Sequence, residues 1–199
     1  TSTAEYNVAV GTTALDAVTT GDRNVAIGYN ALTANTTGGY NTTVGYESMN
    51  ANTTGGYNTA VGYGSMKYNT TGERNNAFGV QSMIYNTTGG NNTASGFQSL
   101  KSNTTGSNNT SVGHQSLNSN TTGARNTGTG YQAAYTTTTG NDNTSIGYEA
   151  GNVITTGSQN VTIGSGSDPS AVDASNQIVI GYGATGHGDN ITVIGNTDM

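Results

Sequence analysis

Acidic residues are the first candidates for chemistry, because paired carboxylates carry general acid and base catalysis in many enzymes. Glu47 and Glu149 occupy equivalent positions of distant repeats, which places them too far apart for a catalytic pair. Asp168 and Asp173 share one polar loop, where an exposed loop is the favoured interpretation and a weak cation site the alternative. The two histidines have no companions at metal-ligand spacing, and no serine, histidine and aspartate combine as a nucleophilic triad. We therefore expect no catalytic residue, no metal site and no cofactor.

Tyrosines are the second group of candidates, because the ring offers an apolar face and a polar tip that suit carbohydrate. One set directly follows a recurring glycine, and we interpret it as a packed column at a coil edge or a seam between chains: Tyr29, Tyr46, Tyr63, Tyr131, Tyr148 and Tyr182. For a second set, packing and surface binding remain equally open. These candidate surface-binding residues are Tyr40, Tyr57, Tyr68 and Tyr85.

The element that must position all of these residues is a short repeat. A glycine recurs at steps of 17 residues from Gly11 to Gly181. Its members include Gly28, Gly45, Gly62, Gly79, Gly96 and Gly113. A repeat this short cannot bury a core alone and must stack on its neighbours. The sequence also lacks Asn-Gly and Asp-Gly, the strongest hairpin signals. We predict an all-β fold, a parallel β-solenoid of about eleven 17-residue coils with almost no helix.

Within each repeat, the segment Asn-Thr-Ala-Val-Gly-Tyr has strand character. The residue before the glycine and the one two positions earlier, such as Val61 and Thr59, are predicted to face the core. The small residue between them, such as Ala60, is predicted to face outward and to permit close approach of another chain. A second short strand facing the same core is predicted at an apolar column four residues after the glycine: Leu15, Leu32, Met49, Met66, Met83, Leu100 and Leu117.

Asparagines form two further columns that predict hydrogen-bonded ladders, since stacked coils bring equivalent residues about 4.8 Å apart. The first lies four residues before the glycine and includes Asn41, Asn58, Asn75, Asn92 and Asn109. The second precedes a Thr-Thr-Gly motif, as Asn35 does before Thr36, Thr37 and Gly38. We predict that the glycine of this motif supplies the positive φ of a tight turn.

Composition limits the partners. The chain has 31% hydrophobic residues, no cysteine, a net charge of −6 and only 5 basic residues. A basic stripe for nucleic acid is excluded, and no apolar run has the length of a membrane span. A thin core without disulfides favours oligomerisation, and we expect a homotrimer, with an end-to-end filament as the alternative. The chain begins at Thr1, and we expect a processed product or a section of a longer fibre.

The end of the chain departs from the pattern. Residues 1–164 carry the 17-residue repeats, whereas residues 165–199 form atypical closing coils in which Thr-Thr-Gly is replaced and the last glycine step, Gly181 to Gly195, is 14. Residues 176–190 read NQIVIGYGATGHGDN and resemble the head repeats of YadA-type trimeric adhesins. The longer array resembles the shafts of phage and prophage tail fibres. The YadA-type repeats are mostly shorter than the repeats of this chain.

The resemblance implies a left-handed parallel β-roll, in an intertwined or side-by-side homotrimer located extracellularly or on a virion surface. It implies a structural, non-enzymatic section of a fibre that mediates attachment to a cell surface. The expected partners are the chain itself and a cell-surface glycan or protein, with no nucleic acid and no membrane insertion. A self-assembling extracellular filament is the alternative function. An ice-binding solenoid is the third, because stacked threonines form a regular lattice.

Overall fold

A computed structural model describes residues 3–196, and this part of the chain contains strands and turns but no helix. Twelve strands of three residues form one sheet in chain order, and every neighbouring pair is parallel. This confirms the all-β, parallel solenoid. The strands are β1 (Val8–Val10), β2 (Val25–Ile27), β3 (Thr42–Val44), β4 (Thr59–Val61), β5 (Asn76–Phe78), β6 (Thr93–Ser95), β7 (Thr110–Val112), β8 (Thr127–Thr129), β9 (Thr144–Ile146), β10 (Val161–Ile163), β11 (Ile178–Ile180) and β12 (Thr192–Ile194).

The strand register follows the sequence repeat. Val8 pairs with Val25, and each later strand up to β11 pairs with the equivalent residues 17 positions on. The last pair, Ile178 with Thr192, is offset by 14. Stacked at about 4.8 Å per coil, the strands form a body on the order of 50 Å long. Residues 1–2 of the repeat segment and 197–199 of the closing segment lie outside the described residues.

The core lies on the opposite face of the strands from the one predicted. The middle residue of each of β2 to β11 is buried, as with Ala60 and Ala77, which are 0% exposed. The flanking side chains face outward, and Ile27, Phe78 and Ile146 keep about two fifths of their surface exposed. The prediction that the larger apolar residues face inward was therefore wrong. Strand alternation fixes two faces but not which one is inside, and this narrow coil has room only for small side chains there.

The apolar column after the glycine is buried as predicted, but its second strand is absent from the described residues. These residues lie in a turn whose backbone enters the left-handed region twice, at Glu47 with φ 53° and at Met49 with φ 48°. Contact between coils persists nonetheless, because the Met49 N–H donates to the Ser65 carbonyl of the next coil at 3.0 Å. The prediction of a strand was wrong because burial and periodic spacing do not distinguish a strand from a regular stacked turn.

Two glycine columns hold the coils at their close spacing. The recurring glycine has positive φ, and a Cβ added at Gly96 would lie 2.3 Å from the carbonyl oxygen of Gly113. The glycine of Thr-Thr-Gly does not have the positive φ that we predicted. It is required for space instead, since a Cβ at Gly55 would lie 2.4 Å from the Gly72 oxygen and 2.6 Å from Asn52 Oδ1.

The closing coils preserve the hydrogen bonds of the repeat with different residues. Val172 replaces a threonine, and its carbonyl accepts from the Thr155 N–H at 2.8 Å. Gln177 takes the place of a ladder asparagine, and its N–H donates to Asn160 Oδ1 at 3.1 Å. Residue 179 of β11 is valine where earlier coils have glycine, alanine, serine or threonine, and it is fully buried. The core is therefore more apolar in this part of the rod.

Candidate binding surface

The asparagine columns are interior features. Asn58 donates its backbone N–H and its Nδ2 to Asn41 Oδ1 at 3.0 and 3.1 Å, and Nδ2 also donates to the Gly72 carbonyl at 2.9 Å. The same pattern connects the ladder residues Asn41, Asn58, Asn75, Asn92 and Asn109, all of which are at most 1% exposed. They stabilise the stack and present no surface to a ligand.

The second asparagine column is equally buried and extends from Asn35 to Asn120. Asn52 Nδ2 donates to Asn35 Oδ1 at 2.8 Å and to the Gly55 carbonyl at 3.0 Å. The column ends where the next two coils carry Thr137 and Ile154 in its place. Within residues 3–196, the buried Asn120 Oδ1 and Thr137 Oγ1 therefore lack hydrogen-bond partners.

Tyrosines form stacked columns on the outside of the rod. The set after the recurring glycine stacks from Tyr29 to Tyr46 and from Tyr46 to Tyr63, with centroid distances of 5.2 and 5.3 Å. The column continues farther along through Phe97, His114, Tyr131 and Tyr148. His114, a histidine without metal-ligand companions, is thus one ring of this column. About half of each stacked tyrosine remains exposed, whereas Tyr182 of the same set is 80% exposed.

The candidate pair Tyr40 and Tyr57 belongs to a second column. Their rings stack at 4.8 Å and 6°. The Arg23 guanidinium lies 5.2 Å from the centroid of Tyr40, and that of Arg74 lies 5.6 Å from the centroid of Tyr57. Arg23 also donates to the Tyr40 hydroxyl at 3.0 Å. Both rings are therefore covered on their two faces, yet 47% of Tyr40 and 55% of Tyr57 remain exposed.

The candidates Tyr68 and Tyr85 form a separate pair, stacked at 5.6 Å and 1°. Lys67 lies 5.3 Å from the Tyr68 ring centroid, and its ammonium contacts Glu47 Oε2 at 2.7 Å. The hydrogen bond to Glu47 raises the pKa of Lys67 above its ordinary value. Glu47 is thus an ion-pair partner of this lysine rather than half of an acid–base pair. The structure brings the four candidate tyrosines together as two pairs and does not combine them in one site.

An apolar stripe covers the outer face of the sheet. It is formed by the residue that precedes the recurring glycine, together with the adjacent tyrosine column. The exposed apolar residues directly before the recurring glycine are Val10, Ile27, Phe78, Val112, Ile146 and Ile194. These side chains are only partly buried by the chain itself, and extended exposed apolar patches mark interaction surfaces.

The two threonines of each Thr-Thr pair form separate columns, one hydrogen-bonded to the next coil and one exposed to solvent. The first hydroxyl of each pair donates to the next coil, as Thr53 Oγ1 does to the Thr70 carbonyl at 3.1 Å. The second threonine is exposed in every coil of the array: Thr20, Thr37, Thr54, Thr71, Thr88, Thr105, Thr122, Thr139 and Thr156. These hydroxyls form a single file along the rod rather than a two-dimensional lattice.

The acidic loop contains no cluster for a metal. Asp168 Oδ1 accepts the Val153 N–H at 3.0 Å, and burial raises the pKa of Asp168 above its ordinary value despite that hydrogen bond. In residues 3–196, no three histidine or acidic side chains gather as metal ligands.

Sequence reasoning missed a groove beside Tyr40 and Tyr57. It has a volume of about 410 Å³, and its floor includes Gly39 and Gly56, with Asp22 and Glu73 at its two ends. The available signal was the Gly-Gly dipeptides in two consecutive coils, at residues 38–39 and 55–56; a third lies at 89–90, and the other coils place a side-chain-bearing residue second. Their significance depends on which neighbours the stacking provides, and this was visible only in three dimensions.

Residues 3–196 contain no helix, and so none that is long and apolar enough to cross a membrane. No protein-family model, curated protein or solved structure matches this chain.

Proposed function

We propose that this chain is a structural, non-enzymatic section of an extracellular fibre that mediates attachment to a cell surface, as a phage tail fibre or an adhesin does. The observation that carries the proposal is the unbroken stack of twelve parallel strands, which repeats the same outward columns at every coil. A rod of this kind supplies reach. It also supplies many equivalent weak contacts, which multivalency converts into firm attachment.

The proposed fibre is a homotrimer of left-handed β-rolls. The apolar stripe on the outer sheet face supports association, because it exposes Ile27, Phe78 and Ile146 along much of the rod. The small-residue column is no longer a candidate for the trimer face, since Ala60 and its equivalents lie inside the coil. The location that fits the proposal is extracellular or on a virion surface, and the partner is a cell-surface glycan or protein.

Attachment is tested by incubating the fluorescently labelled rod with candidate host cells. Saturable binding that unlabelled rod displaces is expected. The proposal fails if binding to every cell type increases linearly with concentration and is not displaced.

A self-assembling extracellular filament is the second candidate, favoured by the two ends of the sheet. Within the described residues, β1 pairs only with β2 and β12 only with β11, so each end offers an unpaired strand edge to another rod. Negative-stain microscopy of concentrated protein distinguishes the two functions. Discrete rods support the fibre section, and long end-to-end filaments formed without cells support the matrix function.

A further inference from the structure

We propose that the groove beside Tyr40 and Tyr57 is a binding site for a neutral saccharide chain lying along the rod. The proposal rests on the attachment function and names its ligand class and its site. The groove spans neighbouring coils and is lined by Asp22, Gly39, Gly56 and Glu73 in addition to the two tyrosines. Its volume of about 410 Å³ lies within the range typical of small-molecule sites.

The floor of the groove is the column of residues immediately before the Tyr40 column. At several other positions of this column, the backbone N–H donates to the side chain at the same position of the next coil. Gly90 N–H donates to Ser107 Oγ at 3.1 Å, and Ala124 N–H donates to Asn141 Oδ1 at 2.9 Å. Glu5 N–H does the same with Asp22 Oδ1 at 2.8 Å. A short polar side chain in this column therefore accepts from the amide of the coil before it at these positions.

Gly39 and Gly56 remove that acceptor from two consecutive coils. The Cβ that Gly39 lacks would lie 3.6 Å from the Asp22 nitrogen, and the one that Gly56 lacks would lie 3.7 Å from the Gly39 nitrogen. Among residues 3–196, no protein atom accepts a hydrogen bond from the N–H of Asp22, Gly39 or Gly56. Unpaired amides are costly when shielded from water, so this floor presents a row of donors to a ligand.

The walls of the groove add hydroxyl groups and carboxylates to the backbone amides of its floor. Tyr40 and Tyr57 line the groove and keep about half of their surface exposed although their ring faces are covered, and Thr37 and Thr54 are exposed on the threonine column. The carboxylates of Asp22 and Glu73 line the groove as further hydrogen-bond acceptors. Sugar hydroxyls both donate and accept, so they match a surface on which the two functions alternate.

Charge favours a neutral sugar over an acidic one. Asp22 and Glu73 line the groove together with Arg23, and Arg74 contacts Glu73 Oε2 at 3.1 Å. The two carboxylates and the two guanidinium groups cancel, so an anionic ligand gains no net attraction. The coil spacing of about 4.8 Å is close to the advance per sugar of an extended hexose chain. Successive sugars can therefore meet equivalent amides of successive coils.

The test compares the intact chain with the double variant G39S/G56S. Serine at these positions fills the floor and supplies the Oγ that Ser107 supplies to Gly90. The matched control is A124S, which adds a hydroxyl in the same column outside the groove. The probes are cellohexaose, maltohexaose and N-acetylchitohexaose, with the galacturonate hexamer as the acidic arm, and binding is measured by isothermal titration calorimetry.

The expected result is that at least one neutral hexasaccharide binds, that G39S/G56S weakens its binding about tenfold or more, and that A124S leaves it unchanged. Circular dichroism melting verifies that both variants remain folded. The site is overturned if no neutral hexasaccharide binds, if only the galacturonate hexamer binds, or if G39S/G56S binds as tightly as the parent. A Y40F/Y57F variant gives an independent reading, since loss of both hydroxyls weakens binding at the groove and at no other place.

Cell attachment separates this inference from the proposed function. If the parent and G39S/G56S attach to host cells equally, the groove is not the site and the fibre function stands. If neutral hexasaccharides bind at the groove but no cell type is bound saturably, the site stands and the attachment function fails.

Discussion

At the scale of single residues, the stacking of the coils depends on glycines, which have no Cβ. The recurring glycines combine positive φ with contacts that leave no space for a Cβ, so two separate physical reasons require the same residue. Their spacing predicted the stacked repeat, whereas the positive φ was predicted for the glycine of Thr-Thr-Gly and is found at the recurring glycine instead. The reason for the second glycine column was not predictable, because it depends on Asn52 and on the carbonyl of the following coil.

Replacing Gly96 with valine is expected to disrupt the stack. The added Cβ would lie 2.3 Å from the Gly113 oxygen, and a β-branched residue is strained at φ 141°. We expect a loss of about 3 kcal/mol or more in the free energy of unfolding, measured by thermal or chemical denaturation. Lys101→Ala serves as the surface control and is expected to change it by less than about 0.5 kcal/mol. Equal melting temperatures of the two variants would contradict this role of the glycine column.

Asp168 makes stability depend on pH. Burial raises its pKa in the folded chain, so the folded state holds its proton more tightly than the unfolded state. The associated stability is present below the ordinary pKa of an aspartate, about 4, and is lost as pH rises through the raised value. We therefore expect the melting temperature of Asp168→Asn to rise relative to that of the parent as the pH is raised from about 3.5 to about 7. An unchanged difference across that range would show that Asp168 does not titrate differently on folding.

At the scale of the element, the coil explains which predictions were correct. Strict spacing predicted the parallel strands and the buried column of Leu32 and Met49, because stacking makes equivalent residues neighbours. Periodicity could not decide that Ala60 faces inward and Val61 outward. That choice depends on the interior width of the coil, which is set by the tight turn at Glu47 and Met49 and not by hydrophobicity.

The second asparagine column has a defect that a single substitution should reduce from two unpaired buried polar atoms to one. Asn120 Oδ1 is buried without a partner because the next coil carries Thr137, whose hydroxyl is also unpaired. Asn120 Nδ2 donates to Asn103 Oδ1 in the preceding coil, and we expect Thr137→Asn to supply an equivalent Nδ2 donor to Asn120 Oδ1. This bond should stabilise the chain by about 1 kcal/mol. Chemical denaturation measures the change. Ile154→Asn, one coil farther along, is the control and should destabilise, because it replaces a fully buried apolar side chain with a polar one.

At the scale of the whole molecule, the rod separates a narrow interior from several kinds of exposed surface. The interior is narrow and is held by alanine, leucine, methionine and two asparagine ladders. The exterior carries three kinds of surface, namely the apolar sheet face, the aromatic columns and the groove beside Tyr40. Because every coil adds one more copy of most columns, interactions that are weak per residue accumulate along the length.

The apolar sheet face should determine the number of chains in the assembly. Val112 and Ile146 are each 40% exposed on that face, and burying them against neighbouring chains is favourable by the hydrophobic effect. A V112K/I146K variant introduces two charges that cannot be buried without partners. Light scattering should give about three times the chain mass of 20.1 kDa for the parent and a smaller assembly for the variant. Thr122→Lys on the exposed threonine column is the control and should keep the parent mass. A parent that is already a stable folded monomer would contradict the trimer. A trimer that survives both lysines would place its interface elsewhere on the rod.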